Sequence, residues 1–525
     1  SNIGLAESRI FDRSILERAV TELKGQYISK GKYSVEINST LTPLERNRVA
    51  VNFDIYEGNV AKIRQIQFVG NRDYSDDDLL GEFKLRTPGF WTWFSKNDQY
   101  SKVKLEADLE SLRSLYLDNG YLEFSIDSTQ VSISPDKKHI YITVNLSEGR
   151  KYIVKDIKLL GKTSVDNSEL LSLIKIYSGQ YFSRKNLNES TSLISDRLGD
   201  DGYAYAVVKA VPDIDRKKGE VNFNLFVDAG RRVYVRKINI SGNSDTRDEV
   251  VRRELRQLEG AWYSTTKLNR SKQRIDMLGF FSAVSVDTRV VDKTSDQVEL
   301  DIKVTERATG SVNLGIGYST SERLLLSAGV TQQNIFGSGN ALSLAVQTGE
   351  VNQSYSVSYT NPYYTDDGVS RGFDIYRQNI DVSSLSVTSY DTATLGGGIR
   401  FSVPLTEYDR INYGLAMEDT TTTLGTNATQ RYIDFIDLVG ESTVTYKGTL
   451  GWRRDQRDSA IYPNNGTLQR LSGEVGLPGG DLNYYRITYQ HQWYYPFTDE
   501  LTMLMKGNIG YASGFGGKPL PFYKN

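Results

Sequence analysis

The chain has 525 residues, 63 basic and 65 acidic, a net charge of −2, no cysteine and two histidines, His139 and His491. Its length predicts several domains, and its balanced charge argues against a dedicated nucleic-acid binder. The missing thiols exclude a disulfide framework, a thiolate metal site and a cysteine nucleophile, and two histidines exclude a His-rich metal centre.

A chain without cysteine suits an oxidising compartment. No run of 18 apolar residues appears, so no membrane-spanning helix is expected. The opening SNIGLAESRIFDRS lacks the apolar core of a signal peptide. The 34 tyrosines fit strands and the aromatic girdles of membrane barrels.

Residues 1–58 read as a partial unit, with a helix in RSILERAVTELKGQYISKG and a hairpin but no opening strand. Residues 59–150 read as a whole one. AKIRQIQFVGN (61–71) alternates imperfectly as a strand. SDDDLLGEFKL follows as a short helix, with Ser75 as N-cap and Asp76 to Asp78 in the first turn, where anions suit the helix dipole. In KVKLEADLESLRSLYLDNGY, Leu105, Leu109, Leu112, Leu115 and Tyr116 recur at helical spacing, and Asn119-Gly120 reads as the stop. LEFSIDSTQVSIS and HIYITVNLSEG then alternate around PDKK as a hairpin.

This β-α-α-β-β order returns in residues 151–230, opened by KYIVKDIKLLGK (151–162), and in 231–306, opened by YVRKINISGN (234–243). A helix stop recurs at Gly120-Tyr121, Gly202-Tyr203 and Gly279-Phe280, and more loosely at Gly31-Lys32-Tyr33. Closing dipeptides stand at Glu57-Gly58, Glu148-Gly149, Ala229-Gly230 and Glu306-Arg307. A period near ~80 residues is too long for a short-repeat solenoid and suits small domains in series.

From about residue 307 helical periodicity disappears. In TGSVNLGIGYST, Val312, Leu314, Ile316 and Tyr318 share one face, and Ser311, Asn313, Gly315 and Gly317 the other. QSYSVSYTNPYY, STVTYKGTLGW, NYYRITYQHQW and LTMLMKGNIGY repeat the scheme. Strands of ~10 residues with an apolar face and a small or polar face are the outer-membrane barrel pattern. Residues 307–525 have room for ~11 strands at roughly 20 residues per strand and connection. The barrel is therefore expected to be incomplete in this chain. The fold class is α+β repeats followed by a transmembrane antiparallel barrel.

No G-x-S-x-G, H-E-x-x-H or P-loop is present. SLIK (172–175) matches S-x-x-K only formally, and reads as solvated residues on a helix. Asp200-Asp201-Gly202 and Asp366-Asp367-Gly368 lack the further ligands of a calcium loop and read as turns. Neither catalysis, a metal nor another cofactor is expected. The outer strand of each small sheet exposes unpaired backbone groups, to which an extended peptide can add with little sequence dependence. Several such units in series give multivalent handling of unfolded chains.

Several stretches carry a specific resemblance: TPLERNRV (42–49), LRSLYLDNGY (112–121), DSTQVSISPDKK (127–138), VDAGRRVYVRKI (227–238), RRELRQLEGAW (252–262), TGSVNLGIGY (309–318), TNPYYTDDGVS (360–370) and GGKPLPFYKN (516–525). The repeats resemble POTRA domains. The whole chain resembles the POTRA-plus-barrel family built around the central subunit of the bacterial β-barrel assembly machine. The resemblance implies part of a second POTRA (1–58), a third (59–150), a fourth (151–230), a fifth (231–306), and the first eleven or so strands of a 16-stranded barrel (307–525). It implies folding and insertion of outer-membrane barrels, with unfolded barrel chains, periplasmic lipoproteins and outer-membrane lipid as partners. The family's V-R-G-F/Y loop motif is absent; SRGF (370–373) lies too early, in an ordinary strand context.

By resemblance, Thr309, Gly310, Ser311, Val312, Asn313, Leu314, Gly315, Ile316, Gly317 and Tyr318 form the first strand of a lateral gate. Arg252 and Glu259 match positions used to dock an essential lipoprotein. The peptide-capturing edge is expected in the third repeat, at Tyr121, Glu123, Ser125, Asp127, Thr129 and Val131. The competing reading is a POTRA-type translocation pore of the TamA or two-partner secretion type, whose members carry two or three POTRA domains where four are detectable here.

Overall fold

The computed structural model describes residues 11–524 apart from 30, 46–47, 90–91, 292–293, 295, 321, 383–389, 460–461 and 499–500. Arg46 and Asn47 of TPLERNRV, and Asn525, thus lie outside the described residues. The chain divides into two compact units, Ser1–Leu198 with Tyr205–Gly230, and Gly199–Ala204 with Arg231–Asn525.

In the first unit a helix (Arg13–Ser29) precedes an antiparallel hairpin (Glu36–Leu44 with Arg48–Tyr56). The next repeat runs strand Lys62–Val69, helices Asp76–Glu82, Thr92–Ser95 and Lys102–Asp118, then strands Ser125–Ile133 and His139–Ser147. Ser75 caps the helix Asp76–Glu82 as the sequence predicts, and Asp78 completes a reciprocal capping box with it. The last strand takes the centre of the sheet. It lies parallel to the opening strand and antiparallel to Ser125–Ile133, which is left at the edge. Strands Ile153–Leu160, Val207–Asp215 and Glu220–Asp228 repeat this order, and in the second unit so do Tyr234–Ser241, Phe281–Val290 and Gln297–Glu306.

The thrice-written opening strand now has a physical account. Its alternation is imperfect because each copy carries a bulge, between Ile63 and Gln65, Val154 and Asp156, and Val235 and Lys237. The bulged residues are basic: Arg64, Lys155 and Arg236. Lys155 reaches Glu220 at 2.9 Å and Arg236 pairs with Glu299, both acids on the central strand. Each copy then ends at a glycine of positive φ: Gly70 (+104°), Gly161 (+138°) and Gly242 (+87°). A Cβ there would stand 2.0, 2.3 and 2.0 Å from the carbonyl oxygens of Leu146, Val227 and Val304 on the central strand. Only glycine lets the chain turn away so close to that strand. The asparagine after it, Asn71 or Asn243, donates to a carbonyl three residues on at 3.0 Å in both cases.

In the third and last repeats a closing acid ties the sheet back to this turn. Glu148 accepts from the Asp73 N–H and, at 2.8 Å, from the Tyr116 hydroxyl. Glu306 accepts from the Ser244 hydroxyl and the Asp245 and Thr246 N–H groups at 2.7, 3.0 and 2.7 Å. Burial alone would raise the Glu306 carboxyl, but these hydrogen bonds outweigh it and hold it at about 2. Because that value is depressed, its contribution to stability is full above the ordinary range near 4.5 and is lost as pH falls from about 4.5 towards 2. The unfolding midpoint of the last repeat should therefore drop over that window, and Glu306→Gln should remove that part of the drop. An unchanged acid profile in Glu306→Gln would contradict this role.

Residues from 310 form one 11-stranded antiparallel sheet in sequence order, from Gly310–Ser319 to Thr502–Gly514. Val312, Leu314, Ile316 and Tyr318 are 68–81% exposed on its outer face, the arrangement a lipid-facing band requires. Thr309 lies one residue before the first strand. One expectation fails: helical periodicity does not disappear, because Gln430–Val439 is a helix between two strands. Tyr432, Phe435, Ile436 and Val439 fall on one helical stripe, packed with Tyr390, Leu482, Tyr484 and Phe522.

Candidate functional site

Three places bear on function: the first strand of the large sheet, an edge strand of the third repeat, and a loop of the last repeat; other strands, Thr502–Gly514 among them, are also paired on one side only among the described residues. The first is the strand Gly310–Ser319, paired on one side only, with Arg323–Gln332. The Gln333 N–H donates to the Thr309 carbonyl, so residue 309 points its backbone inward, and the register continues without a shift. Backbone direction alternates along an antiparallel strand. The N–H and C=O groups of Gly310, Val312, Leu314, Ile316 and Tyr318 therefore face outward, away from the sheet. These are the same residues whose side chains form the apolar face. An unpaired backbone group in hydrocarbon costs several kcal/mol, so this edge requires a partner strand.

The second edge is Ser125–Ile133 in the third repeat. The Ser134 N–H donates to the His139 carbonyl, which sets Thr129, Val131 and Ile133 with their backbone groups outward. Asp127 sits at a bulge between Ile126 and Ser128 and accepts from the Ser125 and Ser147 hydroxyls at 2.8 and 2.6 Å. Two expected edge residues do not belong there. Tyr121 is fully buried against Tyr116 and Phe124, and its hydroxyl donates to Asp73. Glu123 lies before the strand and instead bonds the Tyr152 hydroxyl and Arg216 of the next repeat, at 2.5 and 2.8 Å. Alternation continued back through a turn where the chain has already left the sheet.

The third place is the loop after the short helix Asp248–Arg252. The structure brings Arg252 and Glu259 together: Arg252 lies 2.7 Å from Asp248 and 3.6 Å from Glu259. Glu259 also accepts from the Ile238 N–H at 2.8 Å, on the free side of the opening strand. All three charged side chains are about half exposed, so the pairs themselves add little stability. The loop is fixed from beneath by Gln257, which is buried: its amide donates to the Leu258 and Trp262 carbonyls and accepts from the Ser264 N–H, at 3.2, 3.0 and 3.0 Å. Gly260 and Ala261 add strand-like bonds to Val235. On this rigid base Leu258 and Trp262 stand 64% and 48% exposed, with the Arg232 guanidinium 4.2 Å over the indole. Sequence reasoning singled out the charges and missed Leu258 and Trp262, although RRELRQLEGAW contains both.

Among the described residues no group of acidic and histidine side chains could hold a metal ion. No described helix is long and apolar enough to cross a membrane, which leaves crossing by strands open.

Comparison with known proteins gives two family matches. The Omp85 superfamily domain matches residues 334–525, and the POTRA repeat, described as a surface antigen variable number repeat, matches 1–58, 61–149, 152–230 and 233–307. The chain is similar to the outer membrane protein assembly factor BamA of Neisseria meningitidis, at 39% identity over all of this chain and 67% of that one. It is similar to BamA of Buchnera aphidicola at 28% identity, over 78% of this chain and 67% of that one. Among solved structures it resembles BamA from Haemophilus ducreyi lacking POTRA domains 1–3, with a TM-score of 0.53 and 32% identity over 71% of this chain and 73% of that one. The chain thus spans about two thirds of the length of these curated relatives.

Proposed function

The chain belongs to the BamA family of outer membrane protein assembly factors, within the Omp85 superfamily, and from that premise we propose how its strand edges do the work. It is an outer-membrane protein, with its POTRA repeats in the periplasm and its large sheet in the bilayer. Its relatives are named as assembly factors, which favours barrel assembly over the secretion-pore reading.

The mechanism we infer is exchange of one β-edge for another. The observation that carries it is the strand Gly310–Ser319, whose outward backbone groups lie on its lipid-facing residues. A strand from an unfolded barrel chain satisfies those groups as it enters the membrane. Folding then releases it to its own sheet, and the edge returns to its resting partner. Donors and acceptors are conserved throughout, so the step needs no nucleotide, metal or catalytic side chain.

The repeats hold the chain before that step. Thr129 and Val131 present the capture edge of the third repeat. Val131→Pro removes an outward N–H while leaving the inward ladder intact. Photocrosslinking of an unfolded outer-membrane chain to this edge should fall at least about tenfold, the cost of a lost hydrogen bond and an orphaned carbonyl. Undiminished crosslinking would remove the capture role.

The loop of Arg252, Leu258, Glu259 and Trp262 is the docking surface for a periplasmic lipoprotein of the assembly complex. Aromatic anchors beside charges that fix orientation are the usual make-up of such a surface. Glu259→Lys places a cation beside Arg252 and withdraws the acceptor at Ile238. Co-purification of the lipoprotein should fall about tenfold or more, with the repeat still folded. Unchanged recovery would leave Glu259 as a local strand clip.

A further inference from the structure

In the second unit, the last POTRA repeat meets the periplasmic turns of the barrel at two places of different chemistry. The first adjoins the chain connection at Glu306 to Gly310. There the Arg247 N–H donates to the Gly337 carbonyl at 3.0 Å, and the Asn334 amide donates to the Thr246 hydroxyl at 2.9 Å. Gly337 lies so close that a Cβ would stand 2.1 Å from the Asp245 carbonyl oxygen. These bonds are neutral, short-range and next to a covalent tether.

The second place lies at the helix Thr265–Met277 and the segment 253–256 that precedes it, and is made almost wholly of charge. The turn between Tyr390–Pro404 and Asp409–Leu424 carries Glu407. Arg256, Arg270 and Arg274 converge on its carboxylate at 2.5, 3.3 and 3.1 Å. Arg270 also donates to the Glu407 carbonyl at 2.8 Å and stacks 4.6 Å over Tyr408. Arg274 is shared with Glu254 at 2.7 Å and with the Tyr363 hydroxyl at 3.0 Å. Arg253 adds a fourth guanidinium over Tyr363, with Nε and Nη2 buried and unpartnered. Four arginines of the last repeat therefore face two carboxylates, and Arg410 of the barrel adds a fifth cation within Coulombic reach of Arg274 and Glu254. Arg270 and Arg274 are only 14% and 13% exposed, so water does little to screen them. Burial pushes the Glu407 carboxyl up, but the Arg256 bond and the surrounding positive charge more than reverse it.

We propose that Glu407 is a positioning residue, an electrostatic latch that holds the last repeat against the barrel across a neutral hinge at Asp245 to Arg247. Removing the carboxylate leaves these partly buried cations with Glu254 alone. An uncompensated buried charge is strongly unfavourable, and separation at this contact relieves it. The hinge bonds, made by backbone, amide and hydroxyl groups, do not depend on Glu407 and stay made. The two contacts thus define a latched and an unlatched state of one joint. The proposal stands independently of the docking and edge-capture roles.

The chain has no cysteine, so two introduced thiols are unique within it. Spin labels at Lys272→Cys on the helix and Tyr462→Cys on a neighbouring periplasmic turn, in the full-length protein in proteoliposomes, report the joint directly. The unmutated joint should give a narrow distance distribution. Glu407→Gln should broaden it to about twice that width or more, and Glu407→Asp, which keeps the charge, should stay near the original. A Glu407→Gln protein that inserts and keeps the narrow distribution overturns the proposal. So does equal broadening by Asp and Gln, which would mean that shape rather than charge holds the contact. If Glu407→Gln fails to insert, removing the cations from the repeat side decides: Arg256→Gln with Arg270→Gln should broaden the distribution likewise, and a width unchanged in that double variant overturns the latch.

Discussion

Leu314→Pro should insert and fold, and should fail to assemble other barrels. The register places the Leu314 N–H on the outward side of the first strand, with no partner in the sheet. Proline there removes no ladder bond, and the side chain, 80% exposed, meets no packing constraint. It does remove one donor from any strand that pairs with this edge, and it crowds the approach. In lipid that leaves an orphaned carbonyl on the partner, at a cost of about 1–3 kcal/mol before any clash. Assembly rates should fall by about ten- to a hundredfold, read as porin levels in cells that depend on the variant. Asn313→Pro is the matching contrast. Asn313 faces inward, so proline breaks the existing ladder and should compromise the protein's own fold. Normal porin assembly by Leu314→Pro would refute edge exchange at this strand.

Gly242→Ala should be among the most damaging single methyls in the repeats, with Gly70→Ala its equivalent in the third repeat. Gly242 has φ +87°, and its Cβ would meet the Val304 carbonyl oxygen at 2.0 Å. The left-handed backbone costs about 1–2 kcal/mol for a residue with a side chain. The clash is with the central strand, which cannot yield without disturbing its pairing to both neighbours. A loss of about 3–5 kcal/mol is expected, a large share of what a small domain has. Gly260→Ala separates the two contributions, because Gly260 has φ +76° and open space around it. It should cost only about 1 kcal/mol. Protease resistance of the last repeat, compared between the two variants, checks this. Equal susceptibility would show that the close approach to Val304 is unimportant.

Much of this was legible in the sequence, for identifiable reasons. Glycine stops, capping residues and alternating faces are local, so Ser75, Gly120 and the barrel strands could be placed before any contact was known. That Gly310–Ser319 is the first strand after the repeats was legible from the change of pattern, whereas its role at a gate came only from the family resemblance. The bulge hid in plain view: Ile63 and Ile66 break the alternation because Arg64 is extra, and a two-residue period cannot distinguish a bulge from a poor strand. Tyr121 and Glu123 continued the alternation yet sit before the strand, since a turn preserves residue order and not direction. The helix Gln430–Val439 was overlooked because strands surround it, although Tyr432, Phe435, Ile436 and Val439 carry its stripe. The convergence of Arg256, Arg270 and Arg274 on Glu407 has no local signature at all. It joins residues more than a hundred positions apart, and each arginine alone reads as a solvated charge. Likewise nothing local marks Leu258 and Trp262 as exposed, because the buried residue beneath them is the polar Gln257.

The central claim is that the outward side of the first barrel strand exchanges partners during assembly. The most direct measurement is disulfide capture between single cysteines at Val312, Leu314 or Ile316 and a single cysteine in the terminal strand of an assembling porin. The account predicts crosslinks in one fixed register, shifting by two substrate residues for each step of two along this strand, and disappearing once the porin has folded. Crosslinks of no fixed register, or none while porins continue to assemble, would contradict it.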